Sequence, residues 1–143
     1  MKNISTYITY EEAIFSPTAL KKGIKNIPNS KEVERMLYVG ILFDKVRESF
    51  GVPIKINSFF RCKQLNDIIG SNDRSFHRIG SAIDCKAIQG TGITNADIYN
   101  YILNNCDFTE LIWEYGTDED PAWVHFAIMK GREKEKKVKR IGK

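Results

Sequence analysis

The chain has only two histidines, His77 and His125, and each stands among residues that give it chemical meaning. The first lies in Ser75-Phe76-His77-Arg78-Ile79-Gly80-Ser81-Ala82-Ile83-Asp84, where a polar loop runs into an apolar stretch carrying an aspartate. Ile83 and Cys85 flank Asp84, so on a strand its carboxylate points to the face opposite two apolar neighbours. Such a carboxylate is costly to bury unless it is paired or binds a metal. In Trp123-Val124-His125-Phe126-Ala127-Ile128 the strand period puts Val124, Phe126 and Ile128 on one face, and Trp123, His125 and Ala127 on the other. Two imidazoles and one carboxylate are a standard ligand set for catalytic zinc, which keeps a fourth position open for water. The spacing itself is a loose pattern. It leaves open that both histidines are ordinary hydrogen-bonded residues and that Asp84 makes an ion pair with Arg61 or Arg78.

The elements that must bring these residues together are legible in outline. Thr9 to Ala13 and Ser16 to Leu20 read as two short helical turns, each opened by a hydroxyl that can cap free N–H groups. Val33, Met36, Leu37, Ile41 and Val46 recur at helical spacing, which predicts an amphipathic helix ending before Gly51. Alternation from Pro53 to Asn57 predicts a strand, a short helical piece follows around Gln64 to Ile69, and Ser81 to Ala87 reads as a second strand. Thr94 to Asn105 reads as a helix with Thr94 at its cap and Asp97 three residues on. Phe108 to Tyr115 and Trp123 to Met129 then make an antiparallel hairpin around the polar loop from Gly116 to Pro121. This order predicts an α+β fold, a small antiparallel sheet packed with helices, in one domain.

The pattern Ser75-x-His77-x-x-Gly80-x-Ala82-x-Asp84 followed by Trp123-x-His125 resembles the zinc D-alanyl-D-alanine carboxypeptidase family, which also holds phage L-alanyl-D-glutamate endolysins and D-Ala-D-Ala dipeptidases. The resemblance extends to Asn57-Ser58-Phe59-Phe60-Arg61 with Leu65-Asn66, and to Phe15-Ser16-Pro17-Thr18-Ala19 and Ile24-Lys25-Asn26-Ile27-Pro28, covering about Ile8 to Met129. It implies a zinc peptidase, of the fold shared with hedgehog-like relatives, that cuts D-amino-acid peptide bonds in peptidoglycan stem peptides. One zinc ion would be held by His77, Asp84 and His125. Arg61 would bind the substrate carboxylate or the scissile carbonyl oxygen, and Ser75 and Trp123 would help to bind substrate. Arginine suits that task, because its planar fork of donors stays charged at any working pH.

The general base is where the chain departs from the pattern. Several relatives place Glu or Asp three residues before the last histidine, and here that position is Ala122. Glu114, in Leu111-Ile112-Trp113-Glu114-Tyr115, is the first candidate: if residue 112 faces 125 across the hairpin, Glu114 shares a face with Trp123 and His125. A one-residue slip would turn Glu114 away and make Asp120 the better choice. The alternative is a noncatalytic, zinc-containing wall-binding domain that has lost its base.

Composition excludes several other classes. At 143 residues, 42% hydrophobic and 28% charged, the chain fits one folded domain and neither disorder nor a fibrous repeat. No apolar run is long enough to span a membrane, and Met1 to Tyr10 lacks the core of a secretory signal. The chain is expected to be made in the cytoplasm and to reach the wall through a phage lysis channel, a virion or another route. Cys62, Cys85 and Cys106 are odd in number with no C-x-x-C spacing, so they read as free thiols. Residues 130–143 hold eight Lys or Arg and two Glu against a net charge of +4 for the whole chain. The domain therefore reads as 1–129, followed by a solvated, frayed basic tail with at most weak attraction to the anionic envelope. No specific nucleic-acid partner is expected, since the tail lacks interleaved aromatics, and a monomer is expected.

Overall fold

The computed structural model describes residues 2–142. Its elements run α1 (Tyr10–Ile14), α2 (Pro17–Lys22), α3 (Ser30–Phe50), β1 (Ile54–Ser58), α4 (Lys63–Ile69), β2 (Ala82–Ala87), α5 (Asn95–Asn105), β3 (Glu110–Glu114), β4 (Trp123–Ala127) and β5 (Lys137–Ile141). Helix starts follow local chemistry. Thr9, Asn29 and Thr94 each form a reciprocal capping box with an acid three residues on, and Ser16 caps α2 ahead of Pro17. Helix α3 stops at Gly51, which takes the left-handed conformation.

The strands form one sheet in the order β1-β2-β4-β3-β5, antiparallel except that β5 runs parallel to β3. The fold is therefore α+β, with a mostly antiparallel sheet. Here the basic segment departs from the sequence expectation. Rather than fraying into solvent, residues 137–141 extend the hairpin's outer edge, pairing Lys137 with Glu110 and Ile141 with Glu114. Backbone bonds carry this pairing, and Arg140 reinforces it by lying 4.4 Å from the centroid of the Trp113 ring. Among the described residues no helix is long and apolar enough to cross a membrane, and the three cysteines are free, with Cys85 and Cys106 buried.

The sheet divides its side chains cleanly. Ile83, Cys85, Leu111, Trp113, Val124 and Phe126 join Met36, Val39, Phe43 and Val46 of α3 and Ile98, Tyr99 and Ile102 of α5 in one core. Each large side chain fully buried there stabilises the fold by about 1.5–3 kcal/mol. The opposite face carries the polar residues. Over it fold the segment after β1 and the loop before β2, joined by a backbone bond from Arg61 N–H to the His77 carbonyl, while Phe60 N–H ties the first of them to the Ala13 carbonyl of α1. Buried Asn26 ties in the N-terminal helices, donating to the Ile14 and Phe60 carbonyls and accepting from Cys62 N–H.

Gly80 ends the histidine loop against α3. Its φ is +84°, and a Cβ there would lie 2.7 Å from the Glu32 carbonyl oxygen and 2.9 Å from Met36 Cγ. A side chain would meet both a left-handed backbone and a fixed helix. Gly80→Ala should destabilise the protein by more than about 2 kcal/mol, combining the left-handed penalty with overpacking. Chemical denaturation checks this, and an unchanged midpoint would mean that the loop is not clamped there.

Candidate metal centre

Strand register assembles the site. Asp84 on β2 pairs with His125 on β4, which pairs with Ile112 on β3, so the carboxylate and the imidazole rise side by side on the polar face. A bulge between Ile56 and Ser58 brings Ser58 opposite Asp84 on the other side. His77 arrives from the loop above, its ring centroid 5.1 Å from that of His125. His77, Asp84 and His125 are all buried, and one ligand atom of each lies within 4.8 Å of the others.

Hydrogen bonding sets the state of each ring. His77 Nδ1 is 2.7 Å from the carbonyl oxygen of Phe59. A carbonyl only accepts, so Nδ1 carries the proton. Burial pushes the His77 pKa down, against the pull of Asp84, and keeps the ring neutral with a lone pair on Nε2. That Nε2 is 3.1 Å from Asp84 Oδ1, yet it is buried with no hydrogen-bond partner. Two atoms close together but not bonded to each other are what convergence on a common ligand produces.

On His125 the two nitrogens face two acids. Nδ1 lies 3.0 Å from Asp84 Oδ1 and Nε2 lies 2.8 Å from Glu110 Oε1. Burial would lower its pKa, but the hydrogen bonds to Asp84 and Glu110 outweigh that and raise it to about 9. Asp84 is likewise penalised by burial, and its interactions with His77 and His125 more than offset this, holding it well below the usual carboxylate range. Without a cation, a proton on His125 balances the buried acids. A metal would displace the proton facing Asp84.

The residues present fit zinc. Both outer ring nitrogens have an acceptor, Phe59 O for His77 and Glu110 for His125, and this is the support that metal-ligating histidines need. The inner atoms, His77 Nε2, the Asp84 carboxylate and His125 Nδ1, give two nitrogens and one oxygen in a buried pocket.

The sequence profile of a family described as Peptidase M15 matches residues 6–127. The chain belongs to the peptidase M15 family. Membership makes it a metallopeptidase by family, and the His-Asp-His group is where this M15 chain could hold its metal. A search of curated proteins finds no match to the chain.

Two further groups border the cluster. Glu114 pairs with Trp123 in the register that puts both on the His125 face, its Oε2 3.8 Å from His125 Nδ1. Burial, then the charge of Asp84, pushes the Glu114 pKa up. Arg61 donates from Nε to Ser58 Oγ at 3.1 Å and sets Nη2 3.5 Å from Asp84 Oδ2. Trp123 brings a buried indole N–H that has no partner.

Other sequence candidates lie differently. Asp120 accepts from the Ala96 N–H at 2.7 Å and so serves the first turn of α5. The slip that would have favoured it is absent, since Ile112 does pair with His125. Ser75 Oγ accepts from the His77 N–H at 3.3 Å, a contact that shapes the loop. Sequence reasoning missed Glu110. Its signal was available, because Glu110 stands two residues before Ile112 and so shares the His125 face.

The purified protein should hold one zinc per chain by elemental analysis, and His77→Ala or Asp84→Ala should reduce it to background. Circular dichroism separates metal loss from unfolding. Folded variants that both retained zinc would rule the cluster out as the metal site.

Proposed function

We propose that this chain is a zinc peptidase that hydrolyses D-amino-acid-containing peptide bonds in bacterial peptidoglycan, either as a carboxypeptidase or as an endolysin-type endopeptidase. The observation that carries the reading is the buried convergence of His77 Nε2, Asp84 and His125 Nδ1, with an acid and an arginine at the rim. Zinc bound there would act as a Lewis acid on the scissile carbonyl and would acidify water at its open position.

The chain's own residues divide the remaining work. Glu114 accepts the proton from the attacking water and returns it to the leaving amine. In its favour are its distance of 3.8 Å from His125 Nδ1 and its place on the same face of the sheet. Arg61 holds the substrate's carboxylate or developing oxyanion. Its contacts with Ser58 and Asp84 orient the guanidinium beside the ligand cluster, where a planar fork can engage two oxygens. Trp123, paired with Glu114 on the His125 face, borders the bound peptide, and Ser75 serves by shaping the His77 loop.

Ala122, where several relatives carry an acid, favours a second reading, a wall-binding module that keeps zinc and cleaves nothing. Mass spectrometry of peptidoglycan fragments incubated with the zinc-loaded protein decides between them. New termini at D-amino-acid bonds are expected, and intact fragments beside bound zinc would favour the binding module.

Glu114→Gln keeps size and metal while removing the basic oxygen, so turnover should fall about 10²–10⁴-fold with zinc content unchanged. Near-parental turnover would move the base elsewhere. Arg61→Lys keeps a charge but loses the fork. Its kcat/KM on peptidoglycan fragments should drop at least about tenfold with little change in thermal midpoint, and equal turnover would leave Arg61 a purely structural residue.

A further inference from the structure

His125 meets the ligand cluster through Nδ1, and its other nitrogen decides that orientation. Nε2 sits 2.8 Å from Glu110 Oε1 in a buried contact. Glu110 lies on β3 in register with Ala127, two residues from the Ile112 that pairs with His125, so its side chain rises beside the ring. The second carboxylate oxygen, Oε2, is 3.3 Å from Lys139 Nζ. Lys139 stands on β5 in register with Ile112. Side chains from three adjacent strands thus form a chain, Lys139 to Glu110 to His125, that ends against Asp84.

We propose that Glu110 and Lys139 are a positioning pair for His125, Glu110 fixing the tautomer and ring angle that present Nδ1 to the metal, and Lys139 fixing Glu110. This rests on the reading of His125 as a metal ligand. An ionised carboxylate only accepts, so it requires the proton on Nε2 and leaves Nδ1 as the coordinating atom. Removing it would leave Nε2 without its one acceptor and the ring free to turn or change tautomer. Lys139 comes from the basic C-terminal segment, which makes β5 part of the metal centre's support.

The test uses the full-length chain, zinc alone and competition with a chromophoric chelator. Glu110→Ala should weaken zinc binding about 10–100-fold, the usual effect of losing a histidine's outer partner. Glu110→Gln, whose amide oxygen still accepts from Nε2–H, should restore most of the affinity, and the visible spectrum of the Co²⁺-loaded protein should change in Glu110→Ala only. Lys139→Met should weaken zinc binding in the parent and not in the Glu110→Gln background, where no carboxylate remains to be held. Equal affinity for parent and Glu110→Ala, or Glu110→Gln as weak as Glu110→Ala, would overturn the role of Glu110. A Lys139→Met effect of the same size in both backgrounds would reduce β5 to general stability. If Glu110→Ala does not fold, the Glu110→Gln and Lys139→Met comparison still decides. A folded parent that binds no zinc is a different failure, since it removes His125 as a ligand.

Discussion

A carboxylate taken out of water costs several kcal/mol unless positive charge and hydrogen bonds meet it, and the polar face of this sheet is organised around meeting that requirement at Asp84. Its oxygens face His77, His125 and Arg61, each delivered by a different piece of chain. The His77 loop must close onto β2, which sets the demand for glycine at Gly80 against α3. The segment after β1 must return over the sheet, which places the Phe59 carbonyl on His77 and the Arg61 guanidinium on Asp84. Helices α3 and α5 pack on the other face in one core, while the pairing of 84 with 125 places their side chains together on this one.

Much of this was legible in the sequence because it rests on local rules. Period-two alternation placed Asp84 and His125 opposite their apolar neighbours, and Ile83, Cys85, Val124 and Phe126 are indeed core. Capping chemistry located the helix starts at Thr9, Ser16 and Thr94 to the residue. The hairpin register was available as a condition, 112 opposite 125, and only the folded chain could supply it.

What escaped the sequence depends on distance along the chain. Strand β5 reads Lys-Val-Lys-Arg-Ile, too charged and too short in apolar residues to be recognised, and it is exposed throughout. Its place comes from backbone bonds to β3, 27 residues earlier at every pair from Glu110 with Lys137 to Glu114 with Ile141, and from Arg140 against Trp113. Its lysines also suit a sheet edge, where charge discourages pairing with another chain. The Phe59 carbonyl escaped for a related reason: any residue has a carbonyl, and only loop closure says which one a histidine meets.

The face also explains how an acid can be missing at Ala122 without leaving the cluster short of carboxylates. In an antiparallel pair, alternate residues of both strands project to one face, so β3 can deliver a carboxylate beside His125 as readily as the approach to β4 can. Here β3 delivers two, Glu110 toward Nε2 and Glu114 toward Nδ1, on either side of Ile112. Together with Asp84 they give the face three carboxylates against Arg61 and Lys139. The raised pKa of His125 is the protein's answer to that surplus when no cation is bound. A divalent ion held there would answer it better, since it would add two charges at the point where the acids and imidazoles converge and would let His125 go neutral. Of the three acids Glu114 stands farthest from His125, at 3.8 Å against 3.0 Å for Asp84 and 2.8 Å for Glu110, which agrees with the proton-transfer role proposed for it.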